Sequence, residues 1–104
     1  MSDRDDKITC RTPTPGKTPV RIPRWKYDAL RAAILAATPR RGEGVLFGEL
    51  SEAVADRLDD DVLSRLGSIP WHVTTVKLDL ECRGELHRVA GARPQRLLRG
   101  PGPV

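Results

Sequence analysis

Apolar residues recur at helical intervals along most of this chain, and glycine and proline mark where the intervals break. Tyr27, Leu30, Ile34 and Ala37 share one face of a helix predicted over Arg24–Ala37, with Pro23 at its entry and Pro39 and Gly42 stopping it. Residues 44–47 form a short apolar run, read as a bridging strand. Leu50, Val54 and Leu58 then step by four, predicting a helix over 48–58. Asp59–Asp61 reads as a turn and cap that starts a short helix through Leu66, which Gly67 ends. Ser68 is a good N-cap and Pro70 suits a first turn, so a long helix is predicted from there to Arg83, with Gly84 as its left-handed stop.

That long helix carries two apolar strips. Ile69, Val73, Val76 and Leu80 form one, and Trp71, Leu78 and Cys82 form a second on nearly the opposite side. A helix with two such strips is expected to be covered on both sides. The first strip should meet the preceding helices; the second should meet the C-terminal hairpin, the N-terminal arm or a partner chain. The hairpin is predicted from strands at 85–90 and 95–99 around a turn at 91–94. Before the first helix, Pro13, Pro15, Pro19, Pro23 and Gly16 exclude a helix, which leaves residues 1–23 as an extended arm. Ile8 and Cys10 alternate with Thr9 and Arg11, so 7–11 is read as an edge strand seeking the wing sheet or a second subunit. Residues 12–19 read as an extended linker, and 100–104 as a frayed tail.

A long helix followed by a basic hairpin is the second half of a winged helix-turn-helix. Lys26-Tyr27, Trp71, Thr75-Val76, Leu78-Asp79-Leu80-Glu81, Gly84 and Leu86 carry the resemblance. Together they resemble a family of small uncharacterised bacterial proteins and, more loosely, winged helix-turn-helix domains. In the latter, Leu80-Glu81-x-x-Gly84-x-Leu86 looks like the end of the recognition helix and the start of the wing. The resemblance covers about residues 16–99 and implies a fold, with no activity or ligand. The expected architecture is therefore α+β: three main helices plus a C-terminal β-hairpin wing over 24–99, behind an N-terminal arm.

Composition narrows the function. With 104 residues the chain makes one domain, and with aromatics at 4% its core must rest on Leu, Val, Ile and Ala. The net charge is +4, but its distribution says more. Residues 1–44 carry ten Lys/Arg against five Asp/Glu; residues 45–66 carry two against six; residues 67–104 carry six against three. A basic arm and a basic wing thus flank an acidic middle, so a polyanion should meet the ends. Cys10 and Cys82 lack metal or CxxC spacing and read as free thiols of a reducing cytoplasm. The charged N-terminus lacks the apolar segment of a signal peptide, and no apolar stretch is long enough to span a membrane.

The chemistry-bearing candidates are few. Gly16-Lys17-Thr18 mimics the end of a phosphate-binding loop, yet Arg11 stands where the first glycine belongs and Pro19 blocks the helix that should follow. His72 and His87 lack companions for a metal site, and Ser64, Ser68, Asp79 and His72 read as cap, solvent-face and salt-bridge residues rather than a triad. The expectation is a protein that is not an enzyme and needs no cofactor. If it binds double-stranded DNA, His72, Thr74, Thr75 and Lys77 on the first half of the long helix are placed to reach bases. Arg88, Arg93, Arg96 and Arg99 on the wing are placed to reach phosphates. Arg11, Lys17, Arg21 and Arg24 on the arm are equal candidates for a polyanion. Asp79 and Glu81 argue against groove entry, unless they pair with Arg83 and Lys77 one turn away. The alternative is a protein-interaction module or homodimer built on the arm or the Trp71–Leu78–Cys82 strip.

Overall fold

A computed structural model describes residues 6–13 and 16–102. The chain runs β1 (Lys7–Cys10), β2 (Val20–Pro23), α1 (Arg24–Ala37), β3 (Val45–Leu46), α2 (Phe47–Ala55), α3 (Asp60–Leu66), α4 (Ile69–Cys82), β4 (Leu86–Arg88) and β5 (Arg96–Arg99). The fold is mixed α+β, with four helices and two small antiparallel sheets. The expectations for residues 1–5, Pro15 and the last two residues of the tail lie outside the described residues. No helix among the described residues is long and apolar enough to cross a membrane.

Local signals set the helix ends. Asp59 caps α3 by accepting from the Val62 N–H at 2.9 Å, and Ser68 caps α4 by accepting from the Trp71 N–H at 3.3 Å. At the far end of α4 the Glu85 N–H donates to the Leu80 carbonyl at 2.9 Å and the Gly84 N–H to that of Glu81 at 3.2 Å. This paired closure needs the left-handed residue that Gly84 supplies at φ 76°. The second helix, α2, ends three residues sooner than its apolar spacing predicts, because Leu58 packs on the core from the loop that follows.

The core is built where four helices and a sheet converge. Tyr27, Leu30 and Ile34 of α1 are buried with Leu50 and Val54 of α2, Leu66 of α3, and Val73, Val76 and Leu80 of α4. Leu86 and Leu97 close it from the three-stranded sheet, ordered β3-β5-β4, in which β3 sets Val45 opposite Leu97. Gly44 just before β3 is required there. At φ +84° a Cβ would stand 2.5 Å from the Leu97 carbonyl oxygen.

The N-terminal segment differs from the expected arm. Instead of joining the three-stranded sheet, β1 pairs with β2, setting Ile8 opposite Ile22 and Cys10 opposite Val20. The inward face of this hairpin sends Cys10 and Ile22 into the core and packs β1 on α4. Pro23 is tolerated because it is the last strand residue, where its missing N–H leaves no gap inside the ladder. The edge strand thereby finds its hydrogen bonds within the same chain.

Candidate nucleic-acid interface

Of the base-reading candidates on α4, two are not available. His72 is buried, not on the exposed edge expected of it, with Nδ1 2.7 Å from the Ser68 carbonyl. Lys77 is only 2% exposed: its ammonium lies 2.8 Å from Glu81 Oε2 and 4.6 Å from the centre of the Phe47 ring. Burial pulls the Lys77 ammonium below its usual range, and Glu81 opposes that shift. Thr74 and Thr75 are half-buried.

The wing arginines also have work within the fold. Arg88 Nε donates to Glu81 Oε1 at 2.6 Å, so Glu81 bridges helix and wing between two cations. Arg96 Nη1 donates to the Gly44 carbonyl at 3.1 Å, and half-buried Arg99 ties its backbone N–H to Pro39 at 2.8 Å. Arg93 in the wing turn is exposed. The C-terminal hairpin, the expected wing, therefore offers one fully exposed, unpaired guanidinium among the described residues, rather than a cluster of four.

Asp79 is the residue that local sequence reading misplaces most. It is completely buried rather than on a solvent face. It accepts from the Tyr27 hydroxyl at 2.6 Å, from Arg83 Nε at 2.6 Å and from the Arg11 backbone N–H at 2.9 Å. One carboxylate thus joins α1, the last turn of α4 and the end of β1. The i,i+4 pair to Arg83 was legible from spacing; the partners 52 and 68 positions away were not. Burial and this hydrogen bond raise the Tyr27 phenol above its ordinary range. Burial and the Asp79 charge push the Cys10 thiol up to about 11.

The hairpin, held this way, builds a groove against the outer strip of α4. Its walls include Cys10, Arg11, Lys17, Thr18 and Val20 on one side and Trp71, Thr75 and Leu78 on the other, around some 340 Å³. Trp71 stands 47% exposed at the rim. Its ring is braced by buried His72, centroids 4.8 Å apart and planes at 79°. Between residues 7 and 23 the chain carries Lys7, Arg11, Lys17 and Arg21 and no carboxylate. All four are exposed, and none pairs with a described carboxylate. Arg24, at the start of α1, is instead held by Asp6 at 2.6 Å. The β1–β2 register puts Thr9 opposite Arg21 and Lys7 opposite Pro23, so Lys7, Thr9 and Arg21 share the outer face of the ribbon.

Among the described residues no group of three or more His, Cys, Asp or Glu side chains is placed to hold a metal ion. No protein of curated function and no solved structure matches the chain. A family model does match, over residues 7–97, a span that takes in the hairpin, all four helices and the start of β5. The chain belongs to that family, a family of unknown function (DUF6958).

Proposed function

We propose that this is a small winged-helix protein that binds nucleic acid without catalysis, and that its contact surface is the β1–β2 hairpin with the adjoining strip of α4. The winged-helix reading is supported by the order helix, strand, helices, hairpin and by the strand order β3-β5-β4, in which the early strand lies against the last one. The nucleic-acid reading rests on one observation: a two-stranded ribbon bearing four exposed cations and no acid, next to an exposed tryptophan. Unpaired cations on a ribbon are free to neutralise phosphates, whereas Lys77 and Arg88 share the carboxylate of Glu81 and Lys77 is buried.

The test is fluorescence anisotropy of labelled duplex and single-stranded oligonucleotides across a salt series. Neutralising four phosphates gives a slope of log affinity on log salt of about −3 to −4, roughly a hundredfold loss between 50 and 200 mM. Reversing two ribbon charges, Lys17→Glu with Arg21→Glu, should abolish binding, while Arg93→Glu with Arg96→Glu on the wing should weaken it less. Absence of binding at low salt, or indifference to the ribbon reversal, sinks the proposal. The second reading, a homodimer or other protein-interaction module, is favoured by the exposure of Trp71 beside Leu78. It predicts a solution mass that rises with concentration and falls to monomer in Trp71→Ala.

A further inference from the structure

We infer that the groove between the hairpin and α4 is a stacking site for an unpaired base, so that the preferred ligand is single-stranded nucleic acid. This deepens the nucleic-acid reading and rests on it. The groove combines three things at one place. Trp71 offers an indole face at the rim, Leu78 and Val20 supply apolar walls, and Arg11 and Lys17 bring positive charge beside them. A volume of 340 Å³ lies at the low end of the range, about 300–1,000 Å³, that holds small organic ligands.

A duplex cannot use such a site, because its bases are stacked on one another and it presents only edges and phosphates. An unpaired nucleotide presents a flat π-face with an anion attached. Aromatic platforms next to cationic tracks are the general solution for binding single strands. The contact between Trp71 and His72 adds preorganisation. The imidazole, anchored on the Ser68 carbonyl, packs in a T-shaped contact with the indole and restrains it where it lines the groove. Lys7 and Arg21, on the outer face of the same ribbon, are exposed and add to the positive field around the hairpin. A second copy of this chain carries the same net charge of +4 and is repelled at long range; only its acidic stretch at 45–66 could meet Arg11 and Lys17, and that stretch brings no flat π-face for Trp71.

The chain has a second tryptophan, Trp25, so the experiment uses Trp25→Phe to leave Trp71 as the only indole. Intrinsic emission is followed while adding a short oligothymidylate, a duplex of equal length, or polyglutamate. The expected result is quenching by the oligothymidylate and tighter binding of it than of the duplex. Trp71→Ala should lose about 5- to 150-fold in affinity for the single strand. It should leave the salt slope unchanged, since the side chain neutralises no phosphate, and leave the chain folded, since the side chain is half in solvent. Trp71→Phe should recover most of the loss. Salt-dependent binding of both nucleic acids with no quenching and no effect of Trp71→Ala overturns the stacking site while leaving the basic ribbon intact. No binding of either nucleic acid overturns both readings. Equal quenching by polyglutamate overturns the base as ligand and makes the groove a site for an acidic peptide.

Discussion

Replacing Asp79 by alanine removes the acceptor that joins three separate parts of the chain. The cost can be built contact by contact. The Arg83 guanidinium is 45% exposed, so losing that i,i+4 pair is worth only about 0.3–0.5 kcal/mol. The Arg11 N–H lies near the surface and regains part of its hydrogen bonding from water. The Tyr27 hydroxyl does not: its residue is 3% exposed, and a buried donor stripped of its partner costs about 1–3 kcal/mol. Adding the space left by a fully buried side chain, the total comes to about 3 kcal/mol, at the lower end of what breaking a buried charged pair costs. For a chain of this size that is a large part of a stability of about 5–15 kcal/mol, and it lowers Tm by about 12–24 °C. Tyr27→Phe should cost only about 1 kcal/mol, because Asp79 keeps two donors. Urea unfolding followed by circular dichroism measures both variants and the double mutant. The two sites should couple by at least about 1 kcal/mol. A loss below 1 kcal/mol for Asp79→Ala, or additivity with Tyr27→Phe, would refute the idea that this carboxylate pins the hairpin and α1 to α4.

Three other perturbations separate the forces at work. Leu80→Ala, at a fully buried position of α4, should cost about 2–5 kcal/mol in the same unfolding assay; a cost near zero is incompatible with its place in the core. Glu81→Gln leaves the buried Lys77 ammonium without its counter-ion and should cost about 3–5 kcal/mol, whereas Lys77→Met costs less because Arg88 still holds Glu81. The double variant Lys77→Met with Glu81→Leu should therefore be more stable than Glu81→Gln alone, as urea midpoints would show. In alkali, Cys10 and Tyr27 hold their protons more tightly in the folded chain than in the unfolded one. The Cys10 contribution is complete below the unfolded thiol value of 9.0 and is lost as pH rises through about 11, while that of Tyr27 begins to fall only above 10.0 and continues beyond, so urea midpoints should fall from pH 9 upward. Lys77, shifted the other way, offsets part of the fall, and Cys10→Ala should make the fall shallower.

Most of the helical fold was legible because its determinants are local. Tyr27, Leu30 and Ile34 repeat at the helix period, Asp59 and Ser68 cap where short polar side chains can reach free N–H groups, and Gly84 stops α4 with a left-handed turn. The hairpin was half legible. Ile8 and Cys10 alternate as a strand, but the matching alternation of Ile22 was hidden between Pro19 and Pro23, which normally argue against a strand. Least legible was the fate of the polar residues of α4. Of the two apolar strips only the first is covered; on the second Trp71 and Cys82 stay exposed and Leu78 is half-buried, so the expected cover on both sides is realised on one. His72, Lys77 and Asp79, which flank the covered strip, are all buried. Some partners are local to α4, namely Ser68 for His72, Glu81 for Lys77 and Arg83 for Asp79, but Phe47 against Lys77 and Tyr27 and Arg11 on Asp79 are contacts that no spacing rule on α4 could select.

This burial moves the functional surface as well as the fold. A helix whose Lys77 is buried against Glu81, whose His72 serves the backbone and whose outer strip is flanked by a hairpin has few groups left for the edges of base pairs. Charge that is already paired inside the protein adds little to phosphate binding, because a counter-ion must be released for affinity to be gained. By that criterion the C-terminal hairpin loses Arg88, which is paired with Glu81, while Arg96 spends one N–H on the neutral Gly44 carbonyl and keeps its charge. The β1–β2 hairpin is stronger than its proline content suggests, since Lys7, Arg11, Lys17 and Arg21 face solvent with no acid among them. The same Asp79 that removes a negative charge from the surface of α4 also anchors the end of β1, where Arg11 begins the groove. One buried carboxylate therefore sets both what α4 cannot present and where the basic ribbon stands beside Trp71.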